Sequence, residues 1–178
     1  MKKVAVFGNA GGGKSTLSRR LSEITGLPLY VLDKIKYQSG GIEVPQEDYQ
    51  QIHQEILVTD RWLIDGFGCL ETLWIRLDQA DTLIFVDLPI SVHFWWVTKR
   101  FVTSYFNPPA GWPERSPLFK SSMNSYRALW LCYKRLTPKY REYVGQAQGI
   151  KRVYHLRSVA EISQFLESLS DQAHFKNS

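Results

Sequence analysis

Apolar residues occur along the chain in two patterns, short continuous runs and stretches where they recur every three or four positions. The runs are Val4-Ala5-Val6-Phe7, Leu27 to Leu32, Trp62-Leu63-Ile64, Thr82 to Val86 and Val153 to Leu156. Runs this short, with little alternation, read as strands buried on both faces. The periodic stretches predict helices. Ser15 to Ile24 places Leu17, Leu21 and Ile24 on one face, and Gly26 ends it. Pro45 to about Val58 tolerates proline in its first turn and packs Tyr49, Ile52, Ile56 and Leu57. Ser91 to about Phe106 carries Val92, Trp95, Trp96, Phe101 and Val102 as its packing members. Ser121 to Arg135 follows with Met123, Tyr126, Leu129, Trp130 and Tyr133, and Pro138 interrupts it. Val159 to about Leu169 closes the pattern, with a frayed tail from Ser170. Breaks are predicted over Lys34 to Val44, which holds Ser39-Gly40-Gly41, and over Asn107 to Pro113. Buried strands alternating with helices predict an α/β fold with a parallel sheet covered on both faces.

The first run leads directly into Gly8-Asn9-Ala10-Gly11-Gly12-Gly13-Lys14-Ser15, which fits G-x-x-x-x-G-K-[ST] between a strand and a helix start. Glycines let successive backbone N–H groups converge on a phosphate at the positive end of a helix. Gly8, Gly11, Gly12, Gly13, Lys14, Ser15 and Thr16 are therefore the candidate nucleotide-binding residues. Lys14 is expected to reach the β/γ-phosphates and Ser15 a Mg²⁺. Three carboxylates fall at predicted strand ends: Asp33, Asp65 and Asp87. In an open parallel sheet those ends line the ligand crevice. Asp33 is read either as an acceptor-facing group or as a cap on the following turn. Asp65 is preferred to Asp87 for Mg²⁺, held through water, because Gly66 after it permits close approach. His53 has no partner histidine or cysteine at metal spacing and is read as a surface residue.

Length and composition narrow this further. At 178 residues and 44% hydrophobic, the chain is expected to form one domain over residues 1–178. Cys69 and Cys132 have no C-x-x-C spacing, which predicts neither a zinc site nor a disulfide framework and favours a reducing, cytoplasmic setting. The apolar run after Met1-Lys2-Lys3 stops at Gly8, too short for a signal peptide, and no membrane span is expected. Net charge is +5 but uneven: residues 1–89 carry 9 basic and 12 acidic side chains, residues 90–178 carry 13 and 5. The stretch from Lys99 to Arg141 is strongly basic. It wants an anion, either nucleotide phosphates or a nucleic acid backbone.

Gly8 to Thr16, Thr25-Gly26-Leu27-Pro28, Leu32-Asp33, Trp62 to Gly66, Arg76-Leu77, Ala80-Asp81-Thr82 and Lys99-Arg100 together resemble the adenylate-kinase-like branch of P-loop kinases, and within it the bacterial DNA topology modulation proteins. That resemblance implies a P-loop NTPase three-layer fold with a five-stranded parallel sheet in the order 2-3-1-4-5, ATP with Mg²⁺, and a basic helical lid over about 101–141. Arg115, Arg127 and Arg135 are then the lid candidates for phosphate contact, with Lys14, Asp33 and Asp65 at the reacting centre. Adenylate kinases follow Asp-Gly-Phe with Pro-Arg; here Asp65-Gly66-Phe67 is followed by Gly68-Cys69, which argues against a nucleoside monophosphate acceptor. No Asn-Lys-x-Asp segment supports a GTPase. The leading expectation is phosphoryl transfer from Mg-ATP to a small-molecule acceptor. The alternative is a nucleotide-regulated nucleic-acid-binding protein that uses the 99–141 stretch.

Overall fold

The computed structural model describes residues 1–37, 42–106 and 118–177. In chain order the elements are β1 (Lys3–Gly8), α1 (Lys14–Thr25), β2 (Leu29–Val31), α2 (Leu32–Lys36), α3 (Gln46–Leu57), β3 (Trp62–Asp65), α4 (Leu70–Gln79), β4 (Thr82–Val86), α5 (Ile90–Phe106), α6 (Leu118–Arg135), α7 (Thr137–Ala147), β5 (Arg152–Leu156) and α8 (Val159–Asn177). The sheet has 5 strands in the order β2-β3-β1-β4-β5, and every pair is parallel. This is the order that the family resemblance implied.

The two-residue period of the strands sorts their side chains into two cores. Ala5 and Phe7 of β1, Trp62 and Ile64 of β3, and Leu83 and Phe85 of β4 face α3, α4 and α7. There Phe7 stacks on Phe85 at 5.2 Å, and Tyr140 of α7 meets both rings edge-on. Val4, Val6, Leu63, Ile84 and Val86 face α1 and α8. Asp65 lies two residues after Leu63, so its side chain falls on the α1 face. Register brings it level with Val6 of β1 and Val31 of β2.

Several local expectations are revised. Leu32 opens α2 rather than ending a strand, so Asp33 sits in the first turn of a short helix. The segment 70–79, for which no element was named from the sequence, forms α4, with Leu70, Leu73, Trp74 and Leu77 at helical spacing. Pro138 stands at the start of α7, where its missing N–H costs nothing, so a new helix begins where an interruption was expected. The tail from Ser170 continues α8. His53 is buried at 2% exposure and Ile52 is exposed, which rotates α3 slightly from the expected face. Trp95 is 65% exposed and does not pack in the core. The glycine pair Gly40-Gly41 and the Asn107–Pro113 break lie outside the described residues.

Candidate active site

The phosphate-loop backbone is one that L side chains resist. Gly8 has φ +135°, and a Cβ there would lie 2.2 Å from the Val86 carbonyl oxygen of the neighbouring strand. Gly13, with φ +73°, is the N-cap of α1, and a Cβ there would meet the Trp96 ring at 2.8 Å. No acidic residue occupies the first turn of α1, so the helix start itself contributes no carboxylate against an incoming anion. Lys14 Nζ donates to the Asn9 carbonyl at 2.7 Å, folding its ammonium back over the loop.

Two helices beyond the sheet fasten this loop. The His93 ring of α5 is buried, and its Nδ1 donates to the Ala10 carbonyl at 2.7 Å. Burial, aided by Lys14, pushes the His93 pKa down, so the neutral ring is favoured. The Asn9 side chain accepts from the Ala10 N–H at 2.8 Å and donates to the Leu129 carbonyl of α6 at 3.2 Å. The loop is thereby tied to both helices that follow β4. Phe94 of α5 also stacks on Tyr126 of α6 at 5.8 Å.

Asp65 is 1% exposed, and its Oδ1 has no hydrogen-bond partner among the described residues. Burial raises its pKa, while Lys14 and the Ser15 hydroxyl pull the other way. A buried carboxylate oxygen left open beside a helix-start serine fits Mg²⁺, which takes oxygen ligands and keeps several waters. Asp87 is occupied differently. It accepts from Arg141 Nε at 2.8 Å and Nη2 at 2.9 Å, and from His155 Nε2 at 2.8 Å. Burial opposes its ionisation, but the Arg141 and His155 hydrogen bonds prevail and its pKa falls. Its oxygens serve an ion pair. Among the described residues no group of three His, Cys, Asp or Glu is placed to hold a metal ion.

These parts line one cleft of about 1010 Å³, at the top of the range of about 300–1,000 Å³ for a single small-molecule site. Gly8, Gly11, Gly12, Gly13, Lys14, Ser15 and Thr16 line it, as do Asp33 and Asp65. Asp33 Oδ1 lies 3.3 Å from where a Gly66 Cβ would stand, so the two carboxylate-bearing turns touch. Of the lid candidates, Arg135 lines the cleft. Arg127 is exposed and is not among the lining residues. Arg115 lies outside the described residues. The cleft is also lined by Lys99 of α5 and Lys139 of α7, both in the basic stretch expected to meet an anion, and by Phe67, Leu70 and Trp96, which were not named as site candidates from the sequence. Trp96, Lys99 and Thr103 share one face at i, i+3, i+7 spacing, a signal masked because Trp96 also reads as packing.

Fold and glycine loop together define a P-loop nucleotide-binding protein. No protein-family model matches the chain. The shikimate kinase of Leptospira borgpetersenii serovar Hardjo-bovis (strain JB197) is 31% identical over 143 residues, covering 72% of this chain and 79% of that protein. The chain belongs to the shikimate kinase family, and it is a P-loop kinase for a small-molecule acceptor. Two solved structures share its fold. Shikimate kinase from Acinetobacter baumannii in complex with shikimate has a TM-score of 0.59 and 17% identity, over 99% of this chain and 94% of that one. Shikimate kinase from Bacteroides thetaiotaomicron has a TM-score of 0.54 and 16% identity, over 96% and 97%. ATP and Mg²⁺ use is general in such kinases. Among the described residues no helix is long and apolar enough to cross a membrane.

Proposed function

We propose that this protein transfers the γ-phosphoryl group of ATP to a hydroxyl of a small hydroxy acid, with shikimate the first acceptor to test. The observation that carries this reading is that Asp33 and Asp65 line the same cleft as the phosphate loop, together with Phe67, Leu70, Arg135 and Lys139. Gly8 and Gly11 to Thr16 bind the phosphates through backbone N–H groups, and Lys14 neutralises the β/γ oxygens. Ser15 and Asp65 would hold Mg²⁺, which would supply neutralisation of charge on the phosphate oxygens. Asp33 accepts the acceptor's hydroxyl hydrogen bond and aims its oxygen at the phosphorus. Phe67 and Leu70 offer an apolar wall to the carbon skeleton. Arg135, Lys139 and Lys99 meet the acceptor carboxylate and the charge spread over the moving phosphoryl.

The nucleotide base extends the other way along the sheet, toward the ends of β4 and β5. There Leu88, Pro89, Arg141 and Arg157 line a second cavity of about 520 Å³. We read the region of about 101–141 as a lid carried by α5 and α6; the hydrogen bonds of His93 (α5) to the Ala10 carbonyl and of Asn9 to the Leu129 carbonyl (α6) support that reading. Adenylate-kinase-like transfer to a nucleoside monophosphate is the weaker reading, since Gly68 and Cys69 supply no arginine for a second phosphate. The basic stretch likewise supports anion binding within the cleft more than a nucleic-acid face. Lys99, Arg135 and Lys139 line that cleft, and Arg141 pairs with Asp87.

The test is ATP consumption with Mg²⁺ against shikimate, other hydroxy acids, sugars and nucleoside monophosphates. Lys14→Ala and Asp33→Asn serve as controls. Hydroxy-acid-dependent turnover that both substitutions abolish supports the reading. Tight ATP binding without acceptor-stimulated turnover overturns it. Salt-sensitive, ATP-dependent DNA binding would then favour the role suggested by the likeness to DNA topology modulation proteins.

A further inference from the structure

Arg76 of α4 is fully buried and has no ion-pair partner among the described residues. Its Nε and Nη1 make no hydrogen bond. Such a charge is costly, and an apolar side chain of similar volume would in general serve stability as well or better. What the guanidinium does make is local. Nη2 donates to the Gly66 carbonyl at 2.5 Å and to the Phe67 carbonyl at 3.1 Å. Lys36 Nζ of α2 donates to the next carbonyl, Gly68, at 3.3 Å. Three successive carbonyls of the turn after Asp65 are thus held by cationic side chains.

The same turn is confined from another direction. Gly66 holds φ +111°, and a Cβ on Gly68 would come within 1.9 Å of the Tyr49 hydroxyl. Tyr49 Oη is itself 3.3 Å from Thr72 Oγ1 on α4. Gly66 and Phe67 line the cleft, whereas Arg76 does not reach it. We propose that Arg76 is a positioning residue: its paired hydrogen bonds fix the Gly66–Phe67 turn, and through it the Phe67 wall that faces the acceptor. This rests on the kinase reading above. It predicts that losing the two donors damages acceptor use and spares ATP binding, because the phosphate loop is fastened separately by His93 and Asn9.

Arg76→Met keeps an unbranched apolar stem and removes the donors; Arg76→Lys keeps the charge and can reach one carbonyl. Three quantities decide: the KM for shikimate (or for whichever panel acceptor is used), ATP affinity by calorimetry, and amide hydrogen exchange. With Met, acceptor kcat/KM is expected to fall about 10- to 100-fold, mainly through KM. ATP affinity stays within about twofold, and Lys restores part of the loss. Exchange is expected to quicken over 63–70 and to remain unchanged over 8–16. An unchanged acceptor KM, or faster exchange throughout the chain, overturns the proposal and leaves Arg76 a stability residue. If Met fails to fold, Lys decides by the same criteria, with a several-fold rise in KM expected. If wild type turns over no acceptor at all, the kinase reading fails, and the exchange pattern alone still tests whether Arg76 governs this turn.

Discussion

Asp65→Asn should make the protein more stable and nearly inactive. The carboxylate is 1% exposed, one of its oxygens has no hydrogen-bond partner among the described residues, and burial outweighs Lys14 and Ser15 in raising its pKa. At pH 7 its charge is therefore a burden on the nucleotide-free fold. An unsatisfied buried polar atom costs about 1–3 kcal/mol, and more when charged. Removing the charge also forfeits attraction to Lys14 and gives the site an amide N–H₂ to satisfy. The net gain should be about 1 kcal/mol, or about 2–4 °C in Tm for a chain of this size. Turnover should fall about 10²–10³-fold, the loss typical of one preorganised electrostatic contributor. Thermal unfolding without nucleotide or Mg²⁺, paired with steady-state kinetics on the same preparation, measures both. An Asn variant destabilised by more than about 1 kcal/mol would refute the argument that burial dominates at this site. Unchanged kcat would remove Asp65 from the reacting centre.

His53 is buried and its pKa is pushed down to about 4 by burial and by Arg76. The unfolded chain takes up its proton near pH 6.5, so stability should fall as pH drops from 6.5 toward 4, by about 3 kcal/mol in all. Urea unfolding across that range should show His53→Leu with a flatter profile than wild type. Asp87 has a lowered pKa, so its pairing stabilises the fold above the unfolded carboxyl value and is lost as pH falls through the folded one. With Arg141 half exposed, Asp87→Asn should cost about 1–2 kcal/mol at pH 7 and progressively less as the pH falls into the acid range, checked by urea midpoints across that range. Phe7→Ala removes a ring 1% exposed that touches both Phe85 and Tyr140. It should cost about 3–5 kcal/mol by denaturant unfolding, while Phe7→Leu should cost well under half of that. Gly13→Ala should weaken ATP binding at least about tenfold, because φ +73° and the Trp96 ring both oppose a Cβ, and calorimetry reads it directly.

Much of this protein was legible along the chain because its information is local. Short apolar runs marked all five strands, although Leu32 at the end of one opens a helix instead, and the glycine loop declares its chemistry through spacing alone. Gly8, Lys14 and Ser15 needed no partner to be recognised. The sorting of Leu63 and Asp65 to one face likewise follows from the two-residue period.

Tertiary structure decided what depends on partners distant in sequence. Asp65 and Asp87 are both carboxylates near strand ends, and they differ only in what packing brings to them: an open oxygen beside Ser15 in one case, Arg141 and His155 in the other. Trp95 and Trp96 are neighbours with the same composition signal, yet one turns to solvent and the other onto Gly13. Arg135 and Arg127 are similar residues on one helix, separated by which side of it reaches the cleft. Along the sequence Arg76 belongs only to a family pattern, with no role attached, and the fold buries it under the turn after β3. Periodicity ranks the sides of a helix by hydrophobicity, but which side meets a cleft is fixed by how the helices pack around the sheet.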